Sequence, residues 1–308
     1  MSSVAVGIIS WNTRDLLRDC LSTAVAESPA ELVVIDNGSD DGSAEMVRRE
    51  HPTARLQVNP ENPGFGAAAN QAFALTTAPV LLLLNGDTYL KPGALRAIGA
   101  YLDAHPRAGV LGPRLVHPDG RLQSSCSSFP NPLIPLVKSK VMTRLIQRIP
   151  LLRDRVLDTW PHDRPRTVPW VVGAALAIRR EAFEAAGGFD EGFHLYFEEP
   201  DLCRRMLRAG WETHFAPVTE VVHVEGASTQ QRRHDVLWDW AVSYSLYNER
   251  HFSGFRLAQA RLMFNLGMRL RWCRESLRSR LATDPAIRAE RAADAAIWSR
   301  ALTLGRGR

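Results

Sequence analysis

The segment VLLLLNGDTYL (residues 80–90) sets the expected fold class. Five apolar residues run directly into Asn85, Gly86, Asp87 and Thr88, and then into a Lys-Pro pair. An unbroken apolar run of this length, bounded by turn residues, is typical of a strand buried on both faces. A carboxylate at the tip of such a strand is costly unless a cation or a solvent-filled cleft receives it. The segment therefore predicts a parallel sheet with a charged site where its strands end.

The rest of the first hundred residues alternates between strand and helix patterns. Predicted strands lie at residues 4–10, 31–36, 54–59 and 79–85, and predicted helices at 13–26, 40–50, 64–77 and 91–106, the last with Pro92 in its first turn. This alternation implies an α/β fold whose mostly parallel sheet has helices on both faces. Because the carboxyl ends of such strands share one edge, we expect Asp36 and Asp87 to face one cleft. Turn and N-cap chemistry alone would also explain Asp36.

The second half of the chain has a less regular pattern. We expect loops with short strands over residues 113–135, a basic helix over 136–157, a strand at 167–180 and a helix from about Glu199 to Ala209. Beyond residue 229 the pattern is helical throughout. We therefore divide the chain into residues 1–112 and 113–230, as two halves of one domain, and a helical extension at 231–308.

Composition excludes several classes of protein. Hydrophobic residues make up 45% and charged residues 23% of the chain, which excludes a disordered or collagen-like protein. The four cysteines are widely spaced without a CxxC pair, which favours a reduced protein over a disulfide framework. No signal-peptide pattern opens the sequence, and no apolar run approaches the roughly 18 residues of a membrane span. We expect a cytoplasmic protein that does not cross a membrane.

Positive charge is concentrated at the C-terminus, where twelve arginines face four acidic residues from Gly254 onward. A helical period places the apolar residues of this region in a stripe about 100° wide: Phe255, Leu262, Leu266, Leu270, Cys273, Leu277 and Leu281. Such a basic amphipathic helix favours a position on an anionic membrane surface. Packing on its own domain or on a dimer partner is the alternative, so both monomer and homodimer stay open. The leucine spacing argues against nucleic acid as the partner.

Five motifs together resemble the family 2 glycosyltransferases of the GT-A fold, and most closely a rhamnosyltransferase-like branch. They are VIDNGSDDGS (34–43), NPGFGAAANQA (62–72), LLLLNGDT (81–88), GGFDEGFHLYFEEPDLCRRMLRAGW (187–211) and HVEGAST (223–229). The resemblance covers about residues 4–229. Three positions depart from the common family pattern: Asp40 stands in place of Thr, Gly86 in place of Pro, and Glu199 in place of Asp.

The resemblance implies a nucleotide-sugar donor held by residues 1–112. Asp36 corresponds to the acid that hydrogen-bonds the nucleobase, and Asp41 to a second acid near base or ribose. Ser10 and Asn12 would line the base pocket. The remaining donor-site residues implied by the family, around ribose and diphosphate, are Asn62, Gly66 and Asn70. An ordinary turn before a helix is the alternative explanation for this glycine.

Asp87 corresponds to the metal-binding acid of the family's DxD-type motif, written here as Asn85-Gly86-Asp87. The implied cofactor is Mg2+ or Mn2+, because a hard divalent ion offsets the charge of a departing nucleoside diphosphate. His223 is a candidate second ligand of the metal or diphosphate. A structural role is the alternative for this histidine.

The acids of FEEPD (197–201) are the candidates for the chemistry of attack. By position Glu199 matches the family's catalytic base, which takes the proton of the acceptor hydroxyl, and Glu198 would position acceptor or metal. A base opposite the leaving group implies inversion at the anomeric carbon. The alternative for the whole acidic cluster is structural. Acids in a first helical turn are favoured by the helix dipole, and Asp201, Arg204 and Arg205 could form surface ion pairs.

The resemblance implies that residues 113–230 bind the acceptor. Trp170 would stack on a sugar ring, Gly173 and Ala174 would keep space open beside it, and Asp201 would contact the acceptor. Core packing explains the tryptophan and the small residues equally well.

The function implied is transfer of a sugar, L-rhamnose from dTDP-rhamnose as first choice, to a lipid-linked saccharide on a polyprenyl diphosphate. This places the enzyme in cell-wall or surface polysaccharide assembly, peripheral on the inner face of the cell membrane. The alternatives are transfer from another UDP- or GDP-sugar to a soluble acceptor, and a non-catalytic protein that binds nucleotide sugars or anionic surfaces. A dinucleotide-dependent oxidoreductase is disfavoured because SWNTRD (10–15) follows the first strand where GxGxxG is required.

Overall fold

A computed structural model describes residues 4–132, 160–226 and 233–306. The basic helix predicted over residues 136–157, with Lys138, Lys140, Arg144 and Arg148, lies outside them. The described residues form two compact units. The first consists of residues 4–129, 160–191 and 198–226, and the second of residues 130–132, 192–197 and 233–306.

The strand–helix alternation expected for the first hundred residues is present. The elements are β1 (Val4–Ser10), α1 (Arg14–Ala26), β2 (Leu32–Asp36), α2 (Ser43–Glu50), β3 (Arg55–Val58), α3 (Phe65–Ala74), β4 (Val80–Asn85), β5 (Thr88–Leu90) and α4 (Ala94–Ala104). Pro92 precedes α4 rather than lying in its first turn, because Gly93 has φ 83° and the helix begins only after it. The short strand β5 directly after Asp87 was not expected.

The first unit continues with shorter elements. They are β6 (Ala108–Val116), β7 (Leu122–Gln123), β8 (Cys126–Ser127), β9 (Arg166–Thr167), β10 (Trp170–Val171), β11 (Ala175–Arg179), α5 (Arg180–Ala186), α6 (Glu198–Arg208) and β12 (Glu212–His223). The single strand expected over residues 167–180 is divided into pieces. Pro169 lacks the N–H that a strand ladder needs, and Gly173 uses its N–H outside the ladder.

The large sheet places several strand ends at one edge. Its strand order is β3-β2-β1-β4-β11-β6-β12-β5, with β7 also paired to β6 and β9 to β12. Strands β1 to β4 are mutually parallel, whereas β11 runs antiparallel to β4 and β6. The carboxyl ends of β1, β2 and β4 therefore meet the amino end of β11, and Ala175 is paired with Leu84.

Hydrophobic cores cover both faces of this sheet. Alternate residues of β1 belong to different clusters, as the two-residue period of a strand requires: Val4, Val6 and Ile8 pack with α1, α2 and α4, whereas Ala5 and Ile9 pack with α3, α5 and α6. The expected α/β sheet with helices on both sides is confirmed.

The second unit is helical, with α7 (Arg233–His251), α8 (Gly254–Leu281) and α9 (Pro285–Ala301) before a 3-10 turn at Leu304–Arg306. Its core contains Tyr244, Phe264, Met268 and Trp298. Asp284 caps α9 by accepting from Ala286 N–H at 2.7 Å, with Pro285 at the first helical position. Among the described helices, none combines the length and apolar character that crossing a bilayer demands.

Candidate active site

The ends of β1, β2 and β4 bring the predicted donor-site residues together. Ser10 and Asp36 are paired in register as the last residues of β1 and β2. A Cβ added to Gly86 would meet Ser10 Oγ at 2.9 Å, so the turn that carries Asp87 packs directly on the end of β1. Ser10 Oγ itself lies 2.9 Å from Thr13 Oγ1. The close approach explains why a glycine occupies position 86.

A second set of contacts connects β4 to the predicted base. Asn85 N–H donates to the carbonyl of Ala174 at 3.1 Å. The neighbouring Gly173 N–H donates to Glu199 Oε1 at 2.8 Å. Gly173 and Ala174, which were expected to lie beside the acceptor, thus connect β4 to the first turn of α6.

Asp36 is fully buried and has one carboxylate oxygen to offer a ligand. Its Oδ1 accepts from Ser39 N–H at 2.8 Å, whereas Oδ2 receives no hydrogen bond from any described residue. Leaving a buried acceptor unsatisfied costs about 1–3 kcal/mol, so such atoms usually mark a bound partner.

Asn12 joins the loops that follow β1 and β2. Its N–H donates to Ser39 Oγ at 2.9 Å, and its Oδ1 accepts from Asp40 N–H at 2.9 Å. The residue has φ 51°, a left-handed conformation that asparagine tolerates better than most residues. The contacts hold the Asp36 loop in place beside the end of β1.

Asp41 caps two helices. Its Oδ2 accepts from Arg14 N–H at the start of α1 at 2.7 Å, and its Oδ1 accepts from Ser43 N–H at 3.0 Å and Ser43 Oγ at 2.6 Å. The N–H groups satisfied here are among those that a helix N-terminus leaves unpaired. In the structure this carboxylate therefore connects the loop after β2 to the start of α1.

Gly66 and Asn70 hold α3 close to the turn after α5 and to the start of α6. A Cβ on Gly66 would lie 3.3 Å from Phe189 Cβ and 3.8 Å from Glu198 Cβ. Asn70 Nδ2 donates to the carbonyl of Phe189 at 3.0 Å and to Glu191 Oε1 at 2.8 Å, and Oδ1 accepts from Phe189 N–H at 2.9 Å. Both residues thus lie close to residues 189–191 and 198, all of which belong to the first unit.

Asn62 forms the turn before α3. Its Oδ1 accepts from Gly64 N–H at 3.0 Å, and Gly64 has φ 95°, which favours glycine. Asn37, a buried residue that the sequence did not single out, places Nδ2 3.4 Å from both Asn62 Oδ1 and the carbonyl of Gly64. The turn is thereby tied to the residue that follows Asp36.

Asp87 and His223 lie together, as expected for a shared cation. His223 Nε2 is 3.3 Å from Asp87 Oδ1, and both side chains are nearly buried. The other ring nitrogen, Nδ1, lies 3.0 Å from Gln123 Oε1. Within residues 4–132, 160–226 and 233–306, no group of three His, Cys, Asp or Glu side chains is placed to hold a metal.

Glu199 is half-buried in the first turn of α6, and burial raises the pKa of its carboxyl. Its own N–H and that of Gly173 donate to the carboxylate and lower the pKa, but desolvation is the larger effect. Glu198, beside it, is buried at 3% exposure. A carboxylate with a raised pKa in a cleft is suited to accept a proton.

Comparison with known proteins agrees with this geometry. The family model described as glycosyltransferase-like family 2 matches residues 2–237. This chain belongs to the family 2 glycosyltransferases. Over 217 residues, 66% of this chain and 69% of the relative, it is 33% identical to the N-acetylglucosaminyl-diphospho-decaprenol L-rhamnosyltransferase of Mycobacterium tuberculosis. It is 30% identical to the pre-mycofactocin glycosyltransferase of the same organism, over 68% of this chain and 39% of that one.

A solved structure shows the same fold. The mannosyltransferase from Pyrobaculum calidifontis, in complex with GDP-Man and Mn2+, has a TM-score of 0.55 and 18% identity to the transferase, covering 99% of this chain and 84% of that one. The sheet with its flanking helices is thus a GT-A fold, as the motifs predicted.

The transferase uses Asp201 to hold the loop before α6. Asp201 Oδ2 accepts from Arg205 Nε at 2.9 Å and Nη2 at 2.6 Å, and Arg205 Nη1 donates to the carbonyls of Gly188, at 2.6 Å, and Ala186. The ion pair considered from the sequence exists, but Asp201 is buried at 1% exposure rather than on the surface. Two charge-assisted bonds fix the residue as a structural anchor.

Trp170 of the transferase is half-buried, and its Nε1–H donates to the carbonyl of Ser128 at 3.0 Å. This bond orients the ring on the β8–β10 pair, where Trp170 is opposite Ser127. Part of the ring stays accessible, which a sugar-stacking role requires.

Two contacts of this site have no local signal in the sequence. The Gly173 N–H bond to Glu199 joins residues 26 positions apart, and the Gln123 contact with His223 joins residues 100 positions apart. Only the sheet register brings either pair together.

Proposed function

We propose that this transferase moves L-rhamnose from dTDP-rhamnose to a hydroxyl of a lipid-linked saccharide in cell-wall or surface polysaccharide assembly. The observation that carries the proposal is one connected sheet edge, which holds the unsatisfied buried oxygen of Asp36 and the Asp87–His223 pair and is joined to Glu199 through Gly173. The choice of sugar and acceptor is supported by the mycobacterial relative, whose name specifies an L-rhamnosyltransferase acting on a diphospho-decaprenol-linked sugar.

Donor binding begins at Asp36. Its Oδ2 would accept the N–H of the nucleobase, which replaces an unsatisfied buried acceptor with a charge-assisted hydrogen bond. Ser10 and Asn12 line the same strand ends, and Asp41 keeps the loop in shape. In this arrangement the ribose and diphosphate lie against Asn62, Gly66 and Asn70.

Asp87 and His223 fit a divalent cation, Mg2+ or Mn2+. Adjacent ligands of an octahedral ion at roughly 2.1 Å are about 3 Å apart, and Asp87 Oδ1 and His223 Nε2 are 3.3 Å apart. Two protein ligands suffice where phosphates and water supply the rest of the shell. When bound, the ion offsets the negative charge that develops on the departing nucleoside diphosphate.

Glu199 acts as the general base. The acceptor oxygen forms a bond to the anomeric carbon while the bond from that carbon to the diphosphate oxygen breaks, and its electron pair leaves with the nucleoside diphosphate. The hydroxyl proton passes to the Glu199 carboxylate, whose raised pKa makes it a stronger base than an exposed glutamate. A direct displacement of this kind inverts the anomeric configuration. Glu198 helps to position the acceptor.

The proposal is tested by nucleoside diphosphate release from dTDP-rhamnose, with UDP- and GDP-sugars in parallel and with a polyprenyl-diphosphate-linked saccharide as acceptor. We expect release to need Mg2+ or Mn2+ and to fall about 100- to 10,000-fold in Glu199→Gln. Asp87→Ala removes the metal response. The exposed Glu184→Gln on α5 is the matched control and keeps full rate. Full turnover by either site variant would reject the assignment.

The second unit supplies a surface for the membrane. The apolar stripe of α8 faces outward, with Phe255 83%, Leu262 63% and Leu281 72% exposed, whereas Phe264 and Met268 form the buried face. Exposed arginines border this stripe and lie within it: Arg256, Arg269, Arg274, Arg278 and Arg280. An exposed apolar ridge edged by cations complements an anionic bilayer, so we place the enzyme peripherally on the inner face of the cell membrane.

Co-sedimentation with phosphatidylglycerol vesicles tests this surface. Burying one leucine contributes roughly 1.5–3 kcal/mol, so Leu266→Glu with Leu270→Glu is expected to weaken binding by at least 100-fold. Val25→Glu, on an exposed residue of α1, is the control that leaves binding unchanged. Salt should weaken wild-type binding because arginine–lipid attraction is screened. Failure of wild type to bind, or a concentration-dependent dimer that buries the stripe, would overturn the membrane assignment.

A further inference from the structure

Gln123 contacts the ring nitrogen of His223 that faces away from Asp87. The residue lies on β7, is 9% exposed, and is paired with Leu115 of β6. Its Oε1 is 3.0 Å from His223 Nδ1, while His223 Nε2 is 3.3 Å from Asp87 Oδ1. The histidine is thus held between an amide and a carboxylate.

The amide decides which nitrogen carries the proton. With the Gln123 amide oriented as in the structure, its oxygen can only accept, so the contact pairs it with a proton on His223 Nδ1. In the neutral ring this leaves Nε2 with a lone pair directed toward Asp87. Two acceptors that face each other at this distance need either a cation between them or a proton on one of them. The opposite tautomer, with Nε2–H donating to Asp87, would need the Gln123 amide turned so that its NH2 group donates to Nδ1, and it would leave no nitrogen free to bind a metal.

We infer that Gln123 is a positioning residue that fixes His223 in its Nδ1–H tautomer and so prepares Nε2 to bind the divalent cation. This inference rests on the proposed function, in which Asp87 and His223 hold that cation. Ligating histidines commonly donate their second N–H to an oxygen acceptor, and removal of such acceptors typically weakens metal affinity 10- to 100-fold. A buried amide performs this role without adding charge beside Asp87.

Nitrogen-15 NMR of the metal-free protein tests the tautomer directly. At about pH 8, where histidine rings are ordinarily neutral, long-range ¹H–¹⁵N correlation distinguishes a protonated from an unprotonated ring nitrogen. The His223→Asn variant identifies the signal among the nine histidines. We expect protonated Nδ1 and unprotonated Nε2. A protonated Nε2 in wild type overturns the inference whatever the enzyme's activity.

Binding of Mn2+ together with dTDP, measured by calorimetry, tests the consequence. Gln123→Met keeps the size but removes the acceptor, and we expect 10- to 100-fold weaker binding. Gln123→Glu restores an acceptor oxygen and should recover most of the affinity. Gln71→Met is the control: Gln71 Oε1 accepts from Asn59 Nδ2 at 2.9 Å, so its loss lowers the melting temperature without a selective loss of metal affinity.

The outcomes separate the inference from the proposed function. Unchanged binding in Gln123→Met, or equal loss in Gln123→Met and Gln123→Glu, overturns the positioning role even in an active enzyme. If wild type shows the expected tautomer but neither binds Mn2+ with dTDP nor releases nucleoside diphosphate, the proposed function fails instead.

Discussion

Gly173→Ala is expected to displace Glu199, the proposed catalytic base, without unfolding the protein. A Cβ at this position would lie 2.6 Å from Glu199 Oε1 and 3.3 Å from its Cδ and Cγ. Ordinary contact begins at 3.4 Å, so the carboxylate must move by about 0.8 Å. Displacements near 1 Å in an active site can cost about 100-fold in rate, which corresponds to about 2.7 kcal/mol of transition-state stabilisation.

Steady-state nucleoside diphosphate release measures the effect. We expect kcat of Gly173→Ala to fall about 100-fold with little change in the KM for donor. Because Gly173 N–H lowers the pKa of Glu199 by hydrogen bonding, losing this bond raises the pKa further, and the acid side of the pH–rate profile moves to higher pH. Wild-type kcat with an unchanged profile would show that the Gly173–Glu199 contact is irrelevant to catalysis.

Two other glycines are matched controls. A Cβ on Gly99 of α4 meets only Val4 Cγ2 at 3.5 Å, so Gly99→Ala should leave both kcat and stability intact or raise stability slightly. A Cβ on Gly109 would lie 2.7 Å from Ala182 Cβ, so Gly109→Ala should lower stability by about 1–3 kcal/mol through overpacking. If Gly109→Ala lowers kcat of the folded enzyme as much as Gly173→Ala, the effect is not specific to the base.

Three further outcomes are expected. Asp36→Asn should raise the KM for donor by about 10- to 150-fold with kcat retained, because a hydrogen bond to a charged acceptor contributes about 1.5–3 kcal/mol. An unchanged dTDP affinity by calorimetry would argue against recognition of the nucleobase by Asp36. The kcat/KM of wild type should fall as the pH drops through a pKa above the ordinary glutamate value of 4.5, because burial raises the pKa of Glu199 and protonation removes the base. In Glu199→Gln this fall of kcat/KM at low pH should be absent. In the folded protein a maleimide should label one cysteine, the exposed Cys273, and mass spectrometry counts the labels. The other cysteines are buried, and burial raises the pKa of two of them, Cys20 and Cys203, to about 12. Rapid labelling of a second thiol would contradict this packing.

Local sequence patterns predicted the sheet edge but not the contacts across it. The apolar run of β4 and the turn residues after it predict where Asp87 lies, because strand burial and turn chemistry are local properties. The clamp of Arg205 on the 186–188 carbonyls depends on where α6 packs, which no local period encodes. Local patterns also misplaced Pro92, because the left-handed conformation of Gly93 makes α4 begin after that glycine.

The C-terminal helix α8 shows this limit on a larger scale. Its apolar stripe was predicted from spacing, and spacing alone left open whether protein or lipid covers it. The structure buries a different face, with Ala260, Phe264 and Met268 against the helical core. A helix can carry two apolar faces when both are needed, and only packing shows which one remains exposed.

The environment of each acid in α6 explains why Glu199 is suited to act as the base. Asp201 accepts two charge-assisted hydrogen bonds from the Arg205 guanidinium, so both the orientation and the charge of this carboxylate are used within the protein. Glu199 accepts from two backbone N–H groups, its own and that of Gly173, which orient the carboxylate, and desolvation outweighs their effect on its pKa. The result is an oriented carboxylate whose pKa is raised, so it gains more from protonation than a solvated acid does. Introducing a cation beside Glu199 should therefore slow transfer even if the carboxylate stays in place.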